Sequence, residues 1–223
     1  MTAATSTAAV LTPMANPTVE AELRRLLPRD FAWVTGRLVS AEPDPLKRLV
    51  AYAEGLASSL AQFDTMPLAA VAFACTGSSY LIDRAREEAI AAALPLPVVW
   101  AASAVRDRLA RIGARRIALV SPYPPELHAA GLAYWTEAGV AVIHDARVEI
   151  GSPDTRASYA LRPEQAAGAL AEARAANPDA ILLAGTGMAT VDLLAPDGSP
   201  PVISSNLCLA EALVRLVRSG DLP

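Results

Sequence analysis

Cysteine is the side chain in this sequence best suited to chemistry, and only two are present, Cys75 and Cys208. Cys75 closes the apolar run Val71 to Ala74 and precedes Thr76, Gly77, Ser78 and Ser79, ahead of a helical stretch. A thiol at a helix start meets free backbone N–H groups and the positive end of the helix dipole. Both are expected to lower its pKa and favour the thiolate. The same N–H groups, with the Thr76 and Ser78 hydroxyls, can hold a carboxylate. The plainer reading of any single cysteine is a small core residue. Cys208, starting the last helix in an apolar context, is read that way.

Two further side chains suit an acidic substrate. Asn16 and Tyr123 can each hydrogen-bond a carboxylate or enolate oxygen, although either alone is more often a turn residue. Arg37 follows Thr35-Gly36 at the end of the apolar run Phe31 to Val34, read as a strand. It is expected to pair with a second carboxylate, a solvated surface arginine being the alternative.

The elements that must position these residues form an internal repeat. Ala8-Ala9-Val10-Leu11-Thr12-Pro13 resembles Ile117-Ala118-Leu119-Val120-Ser121-Pro122, 109 residues on. Val71-Ala72-Phe73-Ala74-Cys75-Thr76-Gly77 resembles Ile181-Leu182-Leu183-Ala184-Gly185-Thr186-Gly187, 110 residues on. Pro97-Val98-Val99 resembles Pro201-Val202-Ile203, 104 residues on. Helical spacing appears between the strands, over Leu46 to Leu60, Val105 to Ile112 and Ala166 to Ala176. Apolar strands alternating with helices predict α/β architecture with parallel sheets covered on both faces.

The expectation is therefore two similar doubly wound lobes, related by a pseudo-twofold and facing each other across a cleft that holds the site. Residues 1–103 with 205–223 are assigned to the lobe carrying Cys75, and 104–204 to the lobe carrying Gly185. The last helix, Leu207 to Ser219, is expected to pack back on the first lobe. Ligands bind beyond the carboxyl ends of such strands, which selects the loops Pro13 to Thr18, Cys75 to Ser79, Ser121 to Pro125 and Gly185 to Met188. Gly185 mirrors Cys75 without supplying a proton, while Thr186 and Gly187 echo Thr76 and Gly77.

Several chemistries fail on spacing. Leu81 stands six residues after Cys75, where the phosphate loop of a cysteine phosphatase needs arginine. No G-x-S-x-G elbow occurs. Gly185-Thr-Gly-Met-Ala-Thr lacks the third glycine of a dinucleotide fingerprint. His128 and His144 have no cysteine or carboxylate at ligand spacing, so no metal site is expected, and both are read as surface or helix residues.

Composition agrees with a globular protein rather than a disordered one. The 223 residues suit one large domain or two small lobes, and the chain is 53% hydrophobic with 19% charged residues. Aromatics are 5%, so small aliphatic side chains must fill the core. A net charge of −4 with no basic cluster argues against nucleic-acid binding. Two cysteines make no disulfide framework, Met1 to Val10 lacks the basic start of a signal peptide, and no apolar run reaches the ~18 residues of a membrane span. A cytoplasmic location follows by default. A homo-oligomer is compatible with the sequence but is not read from it.

These residues together resemble the aspartate/glutamate racemase superfamily, in its branch of arylmalonate decarboxylase and maleate cis–trans isomerase. The carriers are Pro13-Met-Ala-Asn16-Pro-Thr-Val-Glu20, Ala74-Cys75-Thr-Gly-Ser-Ser-Tyr80, Gly113 to Pro124, Ile181 to Gly187 and Ser204-Ser205-Asn206. The resemblance implies two Rossmann-like lobes and a cofactor-independent cleft that takes a small carboxylic acid. It places Cys75 at the first-lobe catalytic cysteine and Gly185 where a second-lobe cysteine is usual. Thr76, Gly77, Tyr123, Thr186 and Gly187 fall where oxyanion-holding groups lie, and Asn16 and Arg37 look more like the isomerase side. One thiol cannot serve both faces of a planar carbanion, so two-base racemisation is disfavoured. Decarboxylation of a malonate-type acid, with Cys75 protonating an enediolate, is the expected reaction. Maleate-like isomerisation with Cys75 as nucleophile stands close behind it. A small-acid binding protein that uses the same loops without the thiol is the non-enzymatic alternative.

Overall fold

The computed structural model describes residues 7–219; the first six residues of the Met1 to Val10 reading, and the 1–6 and 220–223 ends of the first-lobe assignment, lie outside the described residues. The chain builds β1 (Thr7–Pro13), α1 (Thr18–Leu26), β2 (Trp33–Leu38), α2 (Pro45–Glu54), α3 (Leu56–Leu60), β3 (Leu68–Phe73), α4 (Thr76–Leu81), α5 (Arg84–Ala92), β4 (Val98–Trp100) and α6 (Ala101–Arg111). It continues with β5 (Arg116–Ser121), α7 (Pro125–Glu137), β6 (Ala141–Arg147), α8 (Pro163–Ala175), β7 (Ala180–Leu183), β8 (Val202–Ser204) and α9 (Ser205–Ser219).

Two four-stranded parallel sheets result, ordered β2-β1-β3-β4 and β6-β5-β7-β8. The two orders are the same once each sheet is counted from its own first strand, as the internal repeat requires. β1, β3, β5 and β7 are central, and all are nearly continuous Ala/Val/Leu/Ile runs. Such runs suit strands covered on both faces.

The core shows how the halves join. Along β5 and β7, Ile117, Leu119 and Leu182 face a large cluster that also contains Val10, Leu11, Val71 and Phe73 of the first sheet. Their neighbours Ala118, Val120, Ile181 and Leu183 face a smaller cluster under α8 with Leu170. This period of two is the strand pleat. The shared cluster runs through Val105 and Leu109 of α6 and Leu209 and Leu213 of α9. α9 leaves the second sheet and packs against α6, α1 and β3.

Two local expectations change. The helical pattern from Leu46 to Leu60 divides at Gly55, which ends α2 and starts α3. The start of α2 is defined by Asp44, whose carboxylate accepts from the Leu46 and Lys47 N–H groups at 2.9 and 2.8 Å, with Pro45 in the first turn. The strand expected to end at Val34 runs on through Leu38 instead. Arg37 therefore lies inside β2, beside Thr12 of β1, and does not follow a strand end.

A buried carboxylate ties the halves together. Glu22 of α1 is 2% exposed and accepts hydrogen bonds from the Thr190 N–H and hydroxyl, from the Val191 N–H at 2.7 Å and from Asn206 Nδ2 at 2.8 Å. Thr18 Oγ1 donates to the Gly187 carbonyl at 2.9 Å, and Thr186 Oγ1 donates to the Ala74 carbonyl at 2.8 Å. The turn after β7 is thus held by side chains of the other half. Replacing Glu22 by alanine leaves several buried donors without an acceptor. Urea denaturation of Glu22→Ala should show a loss of roughly 3 kcal/mol, and a loss under about 0.5 kcal/mol would show that the lock is not needed.

Candidate active site

The loops after β1, β3, β5 and β7 converge on one small cavity. Pro13 and Asn16 come from the first loop, Cys75, Thr76 and Gly77 from the second, Tyr123 from the third, and Thr186 and Gly187 from the fourth. The cavity is about 20 Å³ in volume, room for about one water. Seven of the residues singled out in sequence therefore meet at one place: Asn16, Cys75, Thr76, Gly77, Tyr123, Thr186 and Gly187.

Ser78 and Gly185 stand just behind this lining. Gly185 has φ +99°, a conformation that favours glycine. A Cβ there would lie 3.2 Å from Tyr123 Oη and 3.3 Å from the Pro122 ring. The absence of a side chain is what lets the Tyr123 hydroxyl lie between the two turns. Gly187 does the same for Tyr159, whose ring carbon would be 2.6 Å from a Cβ at that position.

Arg37 does not reach the cavity. Its guanidinium pairs with Glu20 at 2.5 Å and donates to the Asn16 carbonyl at 3.3 Å. The expected pairing with a substrate carboxylate is corrected accordingly. With β2 extended through Leu38, the side chain faces α1 and supports the Asn16 loop from outside. Among the described residues no lysine or arginine lines the cavity.

The polar groups divide into committed and free ones. Asn16 accepts from the Thr18 N–H at 2.9 Å and donates to the Thr186 carbonyl at 3.4 Å. The Thr186 hydroxyl is spent on Ala74, and the Gly185 N–H donates to Ser205 Oγ at 3.1 Å. The Thr76 hydroxyl, by contrast, is buried with no partner. Burial beside Tyr80 and Cys75 pushes the Tyr123 phenol well above its ordinary pKa, so it stays a neutral donor. Thr76 and Tyr123 bring two neighbouring hydroxyls to the cavity that Cys75 lines.

The thiol itself departs from expectation. Cys75 is 4% exposed, and burial pushes its pKa up, outweighing the Ser78 side chain and the N–H groups of Ser78 and Gly77. Ser78 Oγ lies 2.7 Å from the Leu49 carbonyl and 3.1 Å from Cys75 Sγ. Ser78 has one hydroxyl proton and the carbonyl can only accept, so that proton goes to Leu49. The Cys75 S–H is then the donor to Ser78 Oγ. The expected helix-start thiolate is corrected to a buried thiol, because loss of water around the charged form wins over a six-residue helix.

The cavity has lining residues that the repeat argument missed. Leu49 comes from α2, and Thr155, Ser158 and Tyr159 from a 3-10 helix, Thr155–Ala160. They follow β2 and β6, two of the four edge strands, none of whose loops was selected. The same rule, applied to every strand of each half, would have reached them. The segment is tied across the halves by Arg48 of α2, whose buried guanidinium meets Asp154 at 3.4 Å.

Of the two histidines read as surface or helix residues, His128 lies on a helix and His144 on a strand. His128 is buried on α7, 2.8 Å from Ser121 Oγ and 2.9 Å from Asp145 Oδ2. Ser121 is fully buried and does not line the cavity, so the trio braces β5, α7 and β6. His144 lies half-buried on β6. Cys208 is completely buried in α9. Among the described residues no three His, Cys, Asp or Glu side chains gather as metal ligands, and no helix is long and apolar enough to cross a membrane.

Comparison with known proteins bears on this arrangement. The model of the arylmalonate decarboxylase family matches residues 43–222. Among solved structures, a maleate isomerase from Pseudomonas putida is similar with a TM-score of 0.82 at 22% identity, covering 98% of this chain and 94% of that one. A liganded arylmalonate decarboxylase double mutant, one glycine changed to cysteine and one cysteine to serine, gives a TM-score of 0.80 at 22% identity over 98% and 94%. A cysteine-to-serine mutant of the Nocardia farcinica maleate cis–trans isomerase, with a covalently bound succinylcysteine intermediate, gives 0.78 at 21% identity over 98% and 94%. No curated relative matches the chain.

A buried thiol should react slowly. Iodoacetamide labelling of Cys75, followed by peptide mass spectrometry, should stay slow through neutral pH and accelerate only above the ordinary thiol range of about 8.5. Rapid labelling at pH 7 would show a thiolate and refute the assignment.

Proposed function

This chain belongs to the arylmalonate decarboxylase family, and we propose that it decarboxylates a small malonate-type acid without a cofactor, with Cys75 as the proton donor. The observation that carries this reading is the buried Cys75 thiol, its pKa raised by loss of water, facing a half whose mirror position, Gly185, has no proton to give.

One substrate carboxylate is held by neutral donors, the Thr76 hydroxyl, the Tyr123 phenol and the N–H groups that begin α4. The other has no cation to pair with in this cavity. Its C–C bond breaks, carbon dioxide leaves, and the electron pair passes to the α-carbon and the retained carboxylate. The hydroxyls and N–H groups stabilise the resulting enediolate, a charge that grows as the bond breaks. Cys75 S–H protonates the α-carbon from its own face, so a disubstituted malonate gives one enantiomer. The thiolate then recovers a proton from water. Overall, one malonate dianion and one proton become carbon dioxide and one monocarboxylate.

Closure suits this chemistry. The cavity has little spare room, so substrate enters when the segment Thr155–Ala160 moves and reacts when it returns. Water is then excluded from the carbanion except through the thiol.

A second reading rests on the Ser78 hydroxyl and the N–H groups of Gly77 and Ser78 around Sγ. Turned toward sulfur, they would support a thiolate. Cys75 would then add to one alkene carbon of a maleate-like diacid, the former double bond would rotate, and the thiolate would leave to give the trans isomer. We place the protein in the cytoplasm on either reading.

Proton NMR in D₂O with equimolar maleate and methyl(phenyl)malonate separates the two. α-Deuterated 2-phenylpropionate should appear, and Cys75→Ala should lose about 10²- to 10⁴-fold of the rate while remaining folded. Fumarate in its place would establish the isomerase, and no change in either compound would overturn the substrate class. The pH profile gives an independent check. A donor must be protonated, and burial raises the Cys75 pKa, so kcat should hold past the ordinary thiol range of about 8.5 and fall only at higher pH. A rate that rises through that range would instead identify a nucleophilic thiolate.

A further inference from the structure

The stretch between β6 and α8 is built differently from the rest of the cavity wall. Its two ends are fixed in the smaller core, where Val148 and Leu161 are buried beside Leu170. Between them the 3-10 helix Thr155–Ala160 brings Thr155, Ser158 and Tyr159 to the cavity. The hydrogen bonds of this helix are local. The Ala157 N–H donates to the Asp154 carbonyl at 3.0 Å, the Leu161 N–H to the Ser158 carbonyl at 3.2 Å, and Ser158 Oγ to the Thr155 carbonyl at 2.7 Å. Gly151, just ahead of it, bends the chain at φ +64°, a conformation that glycine takes freely. Among the described residues a single polar link joins residues 149–161 to the first half, from Arg48 to Asp154.

Arg48 is held in place for that link. Its side chain on α2 is 4% exposed. Nε and Nη2 donate to the Glu42 and Pro43 carbonyls at 3.3 and 3.1 Å, which leaves Nη1 directed at Asp154 at 3.4 Å. Asp154 is the only carboxylate paired with this guanidinium among the described residues. Arg156 above all, with Arg48 behind it, holds the Asp154 carboxyl below its ordinary pKa, so the pair is charged at neutral pH. Moving the stretch away strips a buried cation of its counter-charge, which is costly. The next residue of α2, Leu49, lines the cavity and accepts the Ser78 hydroxyl. The same turn of helix thus supports the group beside the thiol and the stretch that covers it.

We propose that Arg48 is a positioning residue, its ion pair with Asp154 being the latch that holds Thr155–Ala160 closed over Cys75. This deepens the closure described above and rests on that segment being the part that moves, but it is independent of which reaction the thiol performs.

Alkylation of the thiol tests the latch without an activity assay. The cavity of about 20 Å³ does not admit iodoacetamide, so Cys75 reacts when the segment opens. Cys208, completely buried in α9, reports unfolding of the whole chain in the same sample. Asp154→Asn keeps an oxygen for the Arg156 N–H at the helix start and removes the charge. At about pH 9, above the ordinary thiol range, this variant should label Cys75 about tenfold faster or more, with Cys208 still protected. Arg48→Met should do the same, and the double variant should label no faster than the faster single one. The two single substitutions change the local charge in opposite directions. A field acting on the thiol would therefore speed one and slow the other, whereas release of a latch speeds both. Should Arg48→Met fail to fold, Asp154→Asn decides alone, because a field effect shifts its labelling profile along the pH axis and opening multiplies the rate at every pH. An unchanged Cys75 rate in Asp154→Asn, a parallel rise at Cys208, or single effects that multiply in the double variant would each overturn the proposal.

Discussion

One buried carboxylate, Glu22, holds the turn of the second half against the first, and the geometry around Cys75 depends on it. The turn from Gly185 to Val191 belongs by sequence to the second sheet, yet its hydrogen bonds run to Glu22, Thr18, Asn16 and Ala74. A free turn of this kind would leave its N–H and C=O groups to water. Here they are dry and paired across the cleft, so the distance between Cys75 and the opposite turn is set by hydrogen bonds rather than by a hinge. The core agrees, because α6 and α9 place both sheets on one apolar cluster.

Within that frame the two halves have divided their tasks. Thr76 and Thr186 follow the same kind of strand and begin the same kind of turn. The Thr186 hydroxyl is consumed in closing the cleft, while that of Thr76 remains free inside it. Gly185 gives up the side chain that Cys75 keeps, and Tyr123 fills the space so released. One half thus supplies most of the reactive groups and the other supplies the wall. A single-faced proton transfer needs this asymmetry, whereas a racemase would need it removed.

The state of the thiol is decided by a contest whose outcome the sequence does not display. Helix-start N–H groups pull the Cys75 pKa down, and burial pushes it up. α4 has only six residues and a correspondingly weak dipole, while Cys75 is almost wholly removed from water. Ser78, committed to the Leu49 carbonyl, offers the sulfur an acceptor and not a donor. Of these influences removal from water is the largest, and it favours the protonated thiol.

The sequence by itself determined the two matching sheets, their central strands and the meeting of seven named residues at one cavity. Strand runs and the turns that follow them are local features, and the offset between copies carried them into space. Whether a side chain reaches the cavity was decided only in the tertiary structure. Arg37 turned to Glu20 because β2 runs four residues past its apolar core and carries the guanidinium toward α1. Thr155, Ser158 and Tyr159 entered through a loop with no matching motif in the first half. The pairing of Glu22 with Thr190 and Asn206 spans 168 and 184 residues, and such pairings have no local signature. Hydrogen-bond commitment and loss of water are properties of what surrounds a group, and only the folded chain brings those surroundings together.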